Sequence, residues 1–87
     1  MATITIYTKD YCPYCVRAKS LLTQKGQKDN ITEIDITHDE ALQQEMIAKS
    51  GGRRTVPQIF IGETHVGGFD DMHALDKEGK LDPLLAA

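Results

Sequence analysis

The chain has 87 residues, 40% of them hydrophobic, and a formal net charge of −3. That is the size of one domain, expected over residues 1–87, with a single small core. No apolar run approaches the length of a membrane span, Met1-Ala2-Thr3 has no signal-peptide character, and the acidic balance argues against a nucleic-acid partner.

Residues 3–8 alternate strictly and are rich in β-formers, so they predict a strand with Ile4 and Ile6 on one face and Thr3, Thr5 and Tyr7 on the other. Lys9-Asp10-Tyr11 form the loop that follows. From Pro13 the period becomes helical, with Cys15, Ala18 and Leu22 on one face and Gly26 as the stop. Residues 31–36 predict a second strand, and strand–helix–strand at this spacing makes a βαβ unit with parallel strands. Thr37-His38-Asp39-Glu40 reads as a capping box with Thr37 as the cap, opening a helix over residues 39–50 with Leu42, Met46 and Ile47 inward. Residues 58–61 and His65-Val66, joined through Gly62-Glu63-Thr64, predict a β-hairpin. Asp70 or Asp71 is expected to cap a third helix that ends at Gly79, and Asp82-Pro83 to start a last helical turn anchored by Leu81, Leu84 and Leu85. The order βαβαββα, with Cys12-Pro13-Tyr14-Cys15 after the first strand, predicts an α/β thioredoxin-like sandwich around a four-stranded mixed sheet.

Both cysteines of the chain lie in Cys12-Pro13-Tyr14-Cys15, between the first strand and the first helix. Three residues are nearly one helical turn, so both sulfurs face the same side of a helix start. Pro13 suits the first helical position, where its missing N–H would have had no partner. Cys12 then falls at the N-cap, where free N–H groups and the positive end of the helix dipole favour a thiolate. A cysteine so placed drops from a free pKa of about 8.5 into the range of roughly 3.5–7.5. Cys15, one turn inside, is expected to be more buried. The pair therefore reads as nucleophile and resolving thiol of a disulfide exchanger. A structural disulfide would close almost no loop and so add little stability. A metal site would need further ligands, and His38, His65 and His73 do not stand at ligand spacing to the cysteines. A lone cysteine pair of this kind fits a reducing, cytoplasmic setting.

Tyr7-Thr8-Lys9, Cys12-Pro13-Tyr14-Cys15, Thr55-Val56-Pro57 and Gly67-Gly68-Phe69-Asp70-Asp71 stand in this order along the chain. On these stretches, and at these separations, the sequence resembles a dithiol glutaredoxin of the bacterial type over essentially its whole length. The resemblance implies glutathione-dependent reduction of protein disulfides and of glutathione mixed disulfides, with glutathione as co-substrate and no tightly bound cofactor. It also implies that Pro57 is cis beside the redox pair and that the Val56 backbone pairs with the cysteinyl part of glutathione. The remaining parts of the ligand would be divided among Lys9, Tyr14, Arg54, Thr55, Gly68, Phe69, Asp70 and Asp71. Physical chemistry supports the division. Glutathione carries two carboxylates and one ammonium, so it needs cations at one end, for which Lys9 and Arg54 serve. The helix start at Gly67-Gly68 offers backbone N–H groups, which make an anion site. The resemblance implies that the γ-glutamyl carboxylate sits there, with Asp70 beside it, and that Asp71 pairs with the ammonium. The resemblance further implies that Thr55 belongs to the Val56 loop, that Tyr14 packs against the ligand and that Phe69 contributes its backbone. Residues 49–57 carry three positive groups and no negative one, and within them Arg53 reads as solvated surface charge.

Family-level protein substrates include ribonucleotide reductase, and the default assembly is a monomer. Two other readings share the fold: an electron donor served by a thioredoxin reductase, and an iron–sulfur carrier held through Cys12 and two glutathiones in a dimer. Pro13 argues against the second.

Overall fold

The computed structural model describes residues 3–86; Met1, Ala2 and Ala87, which the one-domain and no-leader readings include, lie outside the described residues. Four strands form, β1 (Ile4–Thr8), β2 (Ile31–Asp35), β3 (Gln58–Ile61) and β4 (Thr64–Gly67), with helices α1 (Pro13–Gln24), α2 (Glu40–Lys49), α3 (Phe69–Lys77) and α4 (Leu81–Ala86). The strands make one sheet in the order β2-β1-β3-β4. β1 runs parallel to β2 and antiparallel to β3, and β3 runs antiparallel to β4 with a register shift at Ile59/Phe60. The mixed sheet and its flanking helices are those expected from the order of elements. Among the described residues, no helix is long and apolar enough to cross a membrane.

Alternation along the strands divides the core between the two sheet faces. On one face Ile4, Ile6, Ile59 and Ile61 pack against Ala18 and Leu22 of α1, Met72 of α3, and Leu81 and Leu85 of α4. On the other, Tyr7 packs with Ile36 and Met46, flanked by Ile34, Leu42, Ile47, Val56 and Phe60. Both faces of β1 are thus covered, as befits the strand with a neighbour on each side. Tyr7 keeps its phenol satisfied by donating to Glu45 Oε2 at 2.8 Å. Burial, and then Glu45, push that phenol up to about 12, so it remains a donor throughout the neutral range. Thr8, also buried, donates to Glu33 Oε2 at 2.8 Å, and Glu33 in turn pairs with Lys19 of α1 at 3.1 Å.

Several local expectations change in the folded chain. Thr37 does not cap α2. Its hydroxyl donates to Asp35 Oδ1 at 2.6 Å and accepts the Asp10 N–H at 2.8 Å. Asp39 takes the cap instead, its Oδ1 accepting the Leu42 N–H at 3.0 Å, and Glu40 becomes the first helical residue. α2 ends at Lys49 with Ser50 as its C-cap. Neither Asp70 nor Asp71 caps α3, because the N-cap is Gly68. β1 begins at Ile4, β2 stops at Asp35 with Ile36 buried beyond it, and α4 starts at Leu81 rather than Asp82. A short 3-10 turn at Lys28–Asn30 joins α1 to β2.

Leu22 is fully buried where α1 meets the sheet. Leu22→Ala is expected to cost about 2–5 kcal/mol through lost transfer energy and the cavity left behind. The check is a urea titration in which the midpoint falls and the slope does not change.

Candidate active site

The sheet carries three separate stretches of chain to one end. Tyr7 and Gln58 are register partners in antiparallel strands, so the end of β1 and the start of β3 lie side by side. β4 runs back along β3 and finishes with Gly67 opposite Ile59. The Cys12 loop, the Arg53-to-Pro57 loop and the Gly67-Gly68 turn therefore converge.

Cys12 is the N-cap of α1, extended at φ −149° and ψ 96°, with Pro13 inside the first turn. Its sulfur accepts the Cys15 N–H at 3.1 Å. A donor aimed at that sulfur, at the positive end of a twelve-residue helix, stabilises negative charge on it. The two sulfurs are joined as a disulfide. Their surroundings differ: Cys15 is 2% exposed, whereas Cys12 is only partly covered. The Val56 carbonyl oxygen lies 3.9 Å from the Cys12 sulfur, and the Val56–Pro57 peptide is cis.

Beside the sulfurs runs a groove of about 290 Å³. Tyr14 forms one wall, the Thr55-Val56-Pro57 loop another, and the Gly68-Phe69-Asp70-Asp71 turn the third. These are eight of the glutathione positions expected from the sequence, and the fold gathers them in one place. Lys9 and Arg54 are exposed and lie outside the walls. In the loop after Lys9, the Asp10 N–H donates to the Thr37 hydroxyl beyond the end of β2.

Arg53, read from the sequence as solvated charge, instead lines the groove. Its Nη1 donates to Asp71 Oδ2 at 3.1 Å. The absence of any negative charge in residues 49–57 marks the segment as basic but does not distinguish Arg53 from Arg54. Both partners are about half exposed, so the pair is worth only about 0–1 kcal/mol in stability. Asp71 also accepts the Gly68 N–H at 2.9 Å, closing the first turn of α3 from its third position. That backbone bond first, and then Arg53, hold the Asp71 carboxyl below its ordinary range. The Phe69 side chain belongs to the wall as well as its backbone. Its ring stacks on His73 at 5.5 Å and lies 6.3 Å from Tyr14, over whose ring the Arg17 guanidinium sits at 5.2 Å.

Gly67 makes this packing feasible. Its φ is +113°, and a Cβ there would run into the Asp71 carboxylate and the Arg53 guanidinium. Gly67→Ala is expected to destabilise by more than about 1 kcal/mol, since both the backbone and the space are wrong for it. Thermal unfolding, together with the Asp71 side-chain NMR signal, checks that prediction. For pH the sign is fixed by a folded pKa below the unfolded one. The stabilisation from Asp71 is complete above the ordinary value of 3.8 and is lost as pH falls through the lower folded value. Denaturant titrations of wild type and Asp71→Asn should therefore converge below pH 3.8 and differ above it.

Comparison with known proteins agrees with this geometry. The glutaredoxin family model matches residues 4–66. The chain is 55% identical to Glutaredoxin 3 of Escherichia coli (strain K12) over 85 residues, covering 98% of this chain and 99% of that one. The solution structure of glutaredoxin from Brucella melitensis superposes with a TM-score of 0.83 at 54% identity, over 98% of this chain and 89% of that one. The crystal structure of a buckwheat glutaredoxin–glutathione complex superposes with a TM-score of 0.79 at 34% identity, over 98% of this chain and 77% of that one. With its Cys12–Cys15 pair at the start of α1, the chain belongs to the glutaredoxin family, the glutathione-dependent thiol–disulfide oxidoreductases.

Proposed function

We propose that this oxidoreductase divides its chemistry between Cys12 as nucleophile and Cys15 as resolving thiol, with the adjoining groove holding glutathione. The carrying observation is the asymmetry of the pair. Cys12 is partly exposed, sits at the helix N-cap and receives the Cys15 N–H, while Cys15 is buried. An incoming disulfide can reach only the first sulfur.

With a glutathionylated protein, the Cys12 thiolate attacks the glutathione sulfur, and the protein leaves as a thiolate that takes up a proton. A second glutathione thiolate then attacks the glutathione sulfur of the Cys12 adduct, releasing glutathione disulfide and the Cys12 thiolate. With a protein disulfide, Cys12 attacks one substrate sulfur and the other leaves as a thiol. Cys15 then attacks Cys12, freeing the second substrate thiol and forming the Cys12–Cys15 disulfide. Two glutathiones reduce that bond and depart as glutathione disulfide.

In the groove, the Val56 backbone would pair with the cysteinyl part of glutathione as an added strand does. Thr55 and Pro57 shape that loop, and the Tyr14 ring covers the ligand. Gly68, Phe69 and Asp70 would present the start of α3 to the γ-glutamyl carboxylate, and Asp71 would take the ammonium. Arg53 is added to this set because it shares the groove with Asp71. Lys9 and Arg54, outside the walls, are assigned attraction of the two carboxylates rather than contact. The glutathione-bound buckwheat relative supports a glutathione groove in this fold. We also assign the protein to the cytoplasm, where glutathione keeps thiols reduced, and read residues 1–87 as one domain acting as a monomer on disulfide-bonded or glutathionylated proteins.

The test supplies glutathione, glutathione reductase and NADPH and follows NADPH oxidation. Cys12→Ser is expected to abolish turnover of a glutathione mixed disulfide and of a protein disulfide alike. Cys15→Ser is expected to retain the first and lose the second. An active Cys12→Ser protein would overturn the assignment of roles, and turnover that required thioredoxin reductase would overturn the glutathione groove.

A further inference from the structure

Gln58 is the first residue of β3 and is 0% exposed, an uncommon place for an amide side chain. All its polar groups have partners. Its Nε2 donates to the Thr55 carbonyl oxygen at 3.0 Å and to the Thr55 hydroxyl at 3.2 Å. Its Oε1 lies 2.8 Å from Nε2 of His65 on β4. The direction of the chain follows from hydrogen-bond chemistry. A backbone carbonyl only accepts, so the amide nitrogen must face Thr55 and the amide oxygen must face His65. That oxygen also only accepts, so the proton of the imidazole must sit on Nε2. The His65 ring is held by Phe60 at 4.9 Å, and Phe60 meets the edge of Tyr7 at 5.8 Å.

A continuous relay thus runs from the edge strand, through a buried amide, to the loop whose Val56 carbonyl stands 3.9 Å from the Cys12 sulfur. Thr55 itself is exposed and has little packing to hold it. We propose that Gln58 and His65 are positioning residues that orient the Thr55-Val56-Pro57 loop and thereby set affinity for the glutathionyl part of the substrate. The proposal rests on the groove reading given under Proposed function. It differs from a purely structural role in what it predicts. The relay ends on the binding loop and touches neither sulfur, so disturbing it should alter binding and spare the exchange step.

Two variants probe the relay from its two ends. His65→Phe keeps a ring against Phe60 and removes the donor to Gln58. Gln58→Glu keeps the shape and turns a carboxylate oxygen against the Thr55 carbonyl. Asp71→Asn, in the opposite wall, runs alongside as the control for the groove. The probe is the mixed disulfide of glutathione and cysteine, assayed with saturating glutathione well below each unfolding temperature. His65→Phe is expected to raise KM about three- to tenfold, the equivalent of one neutral hydrogen bond, with kcat changed by less than about twofold. Gln58→Glu should raise it at least as much, and if that variant does not fold, His65→Phe decides alone. A lowered unfolding temperature with unchanged KM, while Asp71→Asn raises KM, would overturn the relay and leave the groove standing. Unchanged KM in all three would overturn both.

Discussion

The antiparallel pairing of β1 with β3, continued into β4, is the constraint on which the site depends. A parallel strand at the β3 position would have sent the Thr55-Val56-Pro57 loop to the opposite end of the sheet from Cys12. With Tyr7 opposite Gln58 and Gly67 opposite Ile59, three loops far apart in sequence emerge together. Each is also anchored by burial directly behind it. Tyr7, Thr8, Gln58, Ile59 and Met72 are all nearly inaccessible, so the strand and helix ends that carry the loops have little freedom to separate. The proposed glutathione groove thus sits on loops supported by a rigid layer, which is how a domain of this size can combine an open groove with a fixed geometry.

Two helix starts meet in that groove, and each is used differently. The start of α1 directs the Cys15 N–H onto the Cys12 sulfur, so the helix end serves the chemistry. At the start of α3 the Gly68 N–H goes to Asp71, a carboxylate that also faces Arg53. That turn is therefore partly neutralised by its own side chain, and it presents a negative as well as a positive pole. A zwitterionic ligand with separate carboxylate and ammonium groups matches such an arrangement better than a simple anion would. The acidic net charge of the chain does not bear on this, because charges within a few ångströms in a half-exposed groove outweigh distant, screened ones.

Much of the fold is legible locally. The alternation of Ile4 and Ile6, the helical spacing of Cys15, Ala18 and Leu22, and the stops at Gly26 and Gly79 all depend on near neighbours. Both of those glycines do adopt positive φ. Cys12 as an N-cap was legible for the same reason, since Pro13 and the pattern beyond it leave one place for the helix to begin. The caps of α2 and α3 were not. Thr37 has the right chemistry for a cap, but a backbone N–H from Asp10, 27 residues earlier, takes its hydroxyl. Asp71 has the right chemistry too, yet it reaches back to the cap position from one turn inside the helix.

The amino-acid sequence by itself determined the order of the elements, the two thiols one turn apart at a helix start, and which stretches would make the groove. The first two follow from chirality, periodicity and backbone sterics, which act over a few residues, whereas the groove stretches rest on the likeness of their motifs to the glutaredoxin family. Tertiary structure alone decided that Arg53 rather than Arg54 meets Asp71, that Lys9 lies outside the walls, and that Gln58 joins His65 to Thr55. Those choices depend on strand register and on competition among polar groups that become neighbours only once the sheet has closed.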